Sequence, residues 1–156
     1  MRLWHEALIP YLPRQQLLGQ HRECCTLRGN GWGKKHATVD YVFRHTRIDL
    51  VMWYIRIMRE MERRGYKPNP HWYAFEYRGS SCSPDSQSAV SKMMCKANLW
   101  YIPVYPEHND KYLKECLDNL EAKGVHIDME VKKNDTKAVH KAFCSTKLCD
   151  KAVGAL

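Results

Sequence analysis

Apolar residues return along this chain three and four positions apart, in separate blocks, and that is the spacing of amphipathic helices rather than strands. The clearest block, Ile48, Val51, Met52, Ile55, Met58 and Met61, predicts one long helix. Thr46 and Asp49 stand ahead of it as a capping-box pair, and Gly65 ends it. Its polar side carries Arg56, Arg59, Arg63 and Arg64, with Glu60 four residues before Arg64 in the favourable order. An earlier helix is predicted over 13–28, opened by Pro13 and closed by Gly29, with Leu17, Leu18, Cys24 and Cys25 on one half. A third, over 109–123, turns Leu113, Cys116, Leu117 and Leu120 inward and leaves at Gly124. A shorter fourth is expected over 135–149. The pattern predicts a mainly α protein.

Between the second and third of these lie HWYAFEYRG, rich in aromatics, and the polar stretch GSSCSPDSQS. The polar stretch sets an expected boundary between a helical core, 1–79, and a helical C-terminal extension, 80–156, packed on it as one domain. LWYIPVY reads as a short extended segment, although a proline argues against a central strand.

Composition narrows the partners. With 156 residues, 44% of them hydrophobic, the chain can bury a core, roughly 70% of its unfolded surface. The longest apolar run, LVMWYI, is too short for a membrane, and His5 and Glu6 interrupt what a secretion signal would need. A cytoplasmic, nucleoid-associated monomer is expected, and seven cysteines, an odd number, then read as reduced thiols. The net charge of +8 favours a polyanionic partner, nucleic acid first, because Lys and Arg gain affinity by displacing counterions from phosphates. A basic surface that only aids solubility is the alternative.

On the first helix, steps of 100° gather Gln15, Gln16, Gly19, Gln20, Arg22 and Glu23 on one half. Amides, a guanidinium and a carboxylate thus surround a glycine, where a missing side chain lets a ligand come close. Alternatively, Arg22 and Glu23 are ordinary surface charges. His21 sits beside this face, but its angle favours the packed side. RGNGWGKKHA offers Lys34, Lys35 and His36 to phosphates and Trp32 to stack on or wedge between bases, or else forms a turn whose Trp32 packs on the core. It lacks the spacing of a Walker A loop. His140, Cys144 and Cys149 lack the paired spacing of a zinc site, so no metal is expected.

QQLLGQHREC resembles a helix segment of the pyrimidine-dimer DNA glycosylase family typified by phage endonuclease V. The start MRL and the helix end RRGY resemble that family at matching distances, over roughly residues 1–66. The resemblance implies a compact helical domain of the endonuclease V fold that excises a damaged base from double-stranded DNA without a cofactor. It also implies that the N-terminal α-amine, here that of Met1, attacks the sugar to form an imine open to strand-cleaving β-elimination. Glu23 then matches the catalytic acid, and Arg2, Arg22, Gln15, Gln16 and Gln20 fall among the DNA contacts, with Arg22 expected to hold Glu23 ionised or to grip a phosphate. Arg2 departs from the family, since a bulky second residue opposes removal of Met1. Gln16 and Gln20 replace a histidine and an acid, which leaves the lesion open between a pyrimidine dimer and another modified base. HWYAFEYRG resembles the family's aromatic DNA-contacting segment but is followed by 77 residues, and such a cluster is also an ordinary core element. A non-catalytic nucleic-acid-binding module of the same fold, or a basic face for an acidic protein, are the other readings.

Overall fold

The computed structural model describes residues 2–29, 31, 39–97 and 103–127. Residues 1–125 form one compact unit, so residues 80–125 are gathered together with the part before them, while 126–156 fall in a second unit. The helix expected over 135–149, and His140, Cys144 and Cys149, lie outside the described residues.

Five α-helices carry the unit: α1 (Arg14–Arg28), α2 (Asp40–Arg44), α3 (Arg47–Arg63), α4 (Gln87–Met94) and α5 (Asp110–Glu121), with 3₁₀ turns at Glu6–Tyr11 and Pro70–Tyr73. Among the described residues there is no strand, and no helix is long and apolar enough to cross a membrane. The expected first, second and third helices are α1, α3 and α5. Around α3 are α1, α2, α4 and the first 3₁₀ turn. Ile48, Leu50, Val51, Trp53, Tyr54, Ile55, Ile57, Met58 and Met61 are all buried on it, so it is packed nearly all round. Its capping box is present, with the Thr46 hydroxyl accepting from the Asp49 N–H and the Asp49 carboxylate from the Thr46 N–H.

That central position gives two arginines of the polar side partners from elsewhere in the fold. Arg56 pairs with Glu6, and Arg64 bridges Glu60 at 2.5 Å while donating to the carbonyls of Leu12 at 2.6 Å and Pro10 at 2.9 Å. Both arginines tie residues 2–12 to α3 and are held as packing devices. The polar stretch expected as a boundary begins α4 instead, with Ser86 accepting from the Ala89 N–H as the cap. Val90 buries the helix, and Asp85 just before it takes both Nε, at 3.0 Å, and Nη2, at 2.5 Å, of Arg47. Gly29 follows α1 as expected, but its φ of −79° is not left-handed. A Cβ there would stand 3.3 Å from the Arg78 carbonyl oxygen, so close backbone approach, not helix reversal, calls for glycine. Of LWYIPVY only residues 103–105 are described, and they bend.

The N-terminal segment is held from several sides. Leu3, Leu8 and Leu12 are buried, the Tyr112 hydroxyl donates to the Leu3 carbonyl at 2.6 Å, and His5 Nε2 meets the His108 carbonyl at 2.9 Å. The His5 and His108 rings stack at 5.3 Å, and His108 Nε2 bonds the Tyr41 hydroxyl at 2.8 Å. Burial, then the charges of His5 and Arg56, push His108 down to about 3, and burial lowers His5 as well. The folded state therefore refuses protons that the unfolded chain takes up below its ordinary histidine value. Stability is full above about pH 6.5 and falls as pH drops from there towards 3, by about 1.4 kcal/mol per pH unit for each such histidine. Urea midpoints measured from pH 7 to 4 are expected to follow this slope and to flatten in His108→Gln; equal slopes in the two proteins would contradict it.

Candidate functional site

A cleft of about 550 Å³ opens between the N-terminal segment, one face of α1 and the end of α5, lined by Arg2, Trp4, Gln15, Gln16, Gly19, Gln20, Arg22, Glu23, Asn119 and Lys123. The α1 half present in this lining is the polar face read from helical angles. Gly19 leaves the floor open, since a Cβ built there meets nothing within 4 Å.

Glu23 is half-buried in this cleft. Burial raises its carboxyl above the ordinary glutamate range, opposed by the positive N-terminus of the chain, a hydrogen bond from Gln20, the charge of Lys123 and the peptide N–H of Arg2. A carboxyl raised by burial yet surrounded by donors and cations suits proton transfer. Gln20 Nε2 donates to Glu23 Oε2 at 3.0 Å, and Gln20 Oε1 accepts from the Trp4 N–H at 2.9 Å.

Two of these residues have distinct surroundings. Gln20 is 1% exposed with both ends of its amide engaged, so it braces the site and offers nothing to DNA directly. Arg22 is exposed at the cleft edge, and the cations that act on Glu23 are those of the N-terminus and Lys123. Successive helix residues diverge by about 100°, which turns Arg22 outward and leaves it for a phosphate rather than for Glu23. Gln15 is exposed, and Gln16 is half-buried with its Oε1 lacking a hydrogen-bond partner. The Arg2 guanidinium lies over the Tyr112 ring, 5.6 Å from its centroid, and Nη1 stands 3.9 Å from Cys116 Sγ. Lys123 Nζ sits 5.1 Å from the centre of the Trp4 ring. His21 bonds the Tyr54 hydroxyl at 2.6 Å and so serves packing, as its angle predicted. Met1, Trp32, Lys34, Lys35 and His36 lie outside the described residues.

Trp4, Asn119 and Lys123 were not legible as site residues, because nothing local marks them and only the docking of α5 brings the last two to the cleft. Another residue missed is Arg28, 2% exposed at the end of α1, whose guanidinium donates to the carbonyls of Trp72, of Ala74 at 2.6 Å and of Tyr77 at 2.7 Å. It lies over the Trp72 ring at 5.4 Å and fixes the aromatic segment 71–79, whose residues are half-buried or exposed and none in the core. Among the described residues no group of three or more His, Cys, Asp or Glu is placed to hold a metal ion.

Fold and cleft define a helical protein with a poised carboxyl among cations at the start of its chain. Residues 1–74 match the family model described as pyrimidine dimer DNA glycosylase. The resemblance carried by QQLLGQHREC is thus borne out and extends to residue 74, and the helical architecture accords with an endonuclease V-like domain. No curated protein and no solved structure matches the chain.

Proposed function

We propose that this protein is a DNA glycosylase with AP-lyase activity whose nucleophile is the N-terminal α-amine. The amine attacks C1′ of the damaged nucleotide, the glycosidic bond breaks and the base leaves with a proton. The C1′–O4′ bond then opens, O4′ taking the amine's remaining proton, which gives the imine, and removal of a C2′ proton expels the 3′ phosphate. Glu23 offsets positive charge developing on the sugar and handles these protons. An α-amine, with a reference pKa of about 7.7–8.0, has a useful neutral fraction at pH 7 without the desolvation a lysine needs.

The observation that carries this reading is that Glu23 shares its cleft with Arg2 and Trp4 and is tied through Gln20 to the Trp4 N–H, close to the start of the chain. Arg22, Gln15 and Lys123 at the cleft rim suit phosphate and sugar contacts. Arg2 and the Lys34–Lys35 loop with His36 and Trp32 would add to them, the tryptophan by stacking or wedging as a nucleotide is extruded. The substrate we assign is double-stranded DNA carrying a pyrimidine dimer or another modified base, met by a cytoplasmic monomer.

Borohydride reduction on ultraviolet-irradiated or abasic duplex is expected to trap a covalent adduct. Acetylating the N-terminus or extending it should abolish the adduct, and an intact mass identifies whether Met1 or Arg2 bears the amine. Absence of any adduct on irradiated, abasic and alkylated DNA would overturn the proposal. Steep salt dependence of binding without trapping would then indicate a non-catalytic module.

A further inference from the structure

We propose that Gln20 is a positioning residue: its single amide ties the N-terminal segment to Glu23, so that acid and chain start keep one spacing when DNA enters the cleft. This rests on the proposed glycosylase reading.

Gln20 accepts from the Trp4 N–H at 2.9 Å with Oε1 and donates to Glu23 Oε2 at 3.0 Å with Nε2. The two partners have opposite needs, a donor on one side and an acceptor on the other. A neutral amide meets both in one side chain of this length without gaining or losing a proton. Turned over, the amide would set its NH2 against a peptide N–H and its carbonyl against a carboxylate, so its orientation is fixed by its partners. At 1% exposure the amide is shielded from solvent, so losing either bond leaves a buried polar group unpaired.

The consequence is geometric. Extended backbone spans at most about 3.3–3.6 Å per residue, so an anchor at the Trp4 nitrogen leaves the first residue on a short tether. Tyr112 on α5 adds a second anchor at the Leu3 carbonyl, 2.6 Å away. Gln20 couples that tether to the acid, and it also occupies one of the two Glu23 oxygens, which restricts the carboxylate to one direction. Lys123 from α5 acts on Glu23 by charge and lies 5.1 Å from the centre of the Trp4 ring. Gln20 differs in hydrogen-bonding both the acid and the Trp4 N–H.

The full chain carrying Gln20→Glu or Gln20→Met tests this. Gln20→Glu keeps the acceptor for Trp4 and sets a second carboxyl against Glu23, where like charges raise the upper apparent pKa of the pair. The acid limb of the pH–rate profile for trapping on abasic duplex should move up by about one pH unit, with kcat at pH 7 falling about tenfold and KM changing by less than about twofold. Carbon-detected NMR should show Glu23 titrating at higher pH in the free protein. Gln20→Met fills the space without either bond, so trapping should fall on the order of 100-fold and the Trp4 amide should exchange with solvent faster. An unmoved pH profile together with an unmoved Glu23 titration in Gln20→Glu, or wild-type trapping in Gln20→Met, would overturn the proposal. If Gln20→Met does not fold, the Gln20→Glu titration decides alone. If the wild-type protein traps no DNA, the glycosylase reading fails, while the Glu23 titration and Trp4 exchange still decide whether Gln20 makes this link.

Discussion

Replacing Glu23 with glutamine is expected to lower trapping and strand cleavage by about 10²–10⁴-fold while making the folded protein more stable at pH 7. The loss follows from removing the one group proposed to bear negative charge against the sugar and to move its protons. The gain follows from the direction of its titration: burial outweighs the N-terminus, Gln20, Lys123 and the Arg2 N–H, so the carboxyl sits above its ordinary value. A group raised in this way favours the fold when protonated, and that contribution is lost as pH rises through its folded pKa. At pH 7 the wild-type protein therefore holds an unfavourable ionised Glu23, which the neutral amide does not. Thermal melts should place Glu23→Gln above wild type at pH 7 and bring the two together as pH falls below the ordinary glutamate range. A variant that is inactive but less stable at pH 7 would show that its donors, not burial, dominate the site. The opposition of activity and stability is what a site kept for chemistry leads one to expect.

The largest effect on stability is expected from Arg28→Met. Methionine fills much of the space of the buried stem but leaves the carbonyls of Trp72, Ala74 and Tyr77 without the guanidinium that they share. Removing one side of such a buried charged network costs about 3–5 kcal/mol, a large part of an ordinary domain's stability and roughly 10 °C in melting temperature for a chain of this length. Arg28→Lys should recover only part of it, because an ammonium lacks the planar fork that reaches several carbonyls at once. Limited proteolysis should find the segment 69–79 cut first in both variants. A melting temperature within about 2 °C of wild type in Arg28→Met would show that the aromatic segment is held by its ring contacts instead, Trp72 on Tyr77 at 4.8 Å and on Tyr54 at 6.1 Å.

Arg28 also marks where sequence reasoning stopped. Its helical angle put it on the packed half of α1, which is correct, but nothing local announces that three carbonyls some 44–49 positions later converge on it. The same limit explains Arg56 and Arg64, which the pattern placed on the polar side of α3. Helical periodicity reports which residues share a face; it does not report what docks against that face. Glu6 and the carbonyls of residues 10 and 12 dock there.

By itself the sequence determined the helices α1, α3 and α5, the polar face of α1 around Gly19, and a resemblance of roughly residues 1–66 to pyrimidine dimer DNA glycosylases, in line with the family-model match over 1–74. Those properties are written in spacings of three, four and seven residues and in short ordered motifs, which neighbouring positions fix. Only the tertiary structure decided that Glu23 faces the start of the chain, that Gln20 is a buried brace and that Lys123 and Asn119 close the cleft. Such contacts join residues from 16 to over 100 positions apart, and their partners are chosen by how the buried faces pack rather than by any local preference.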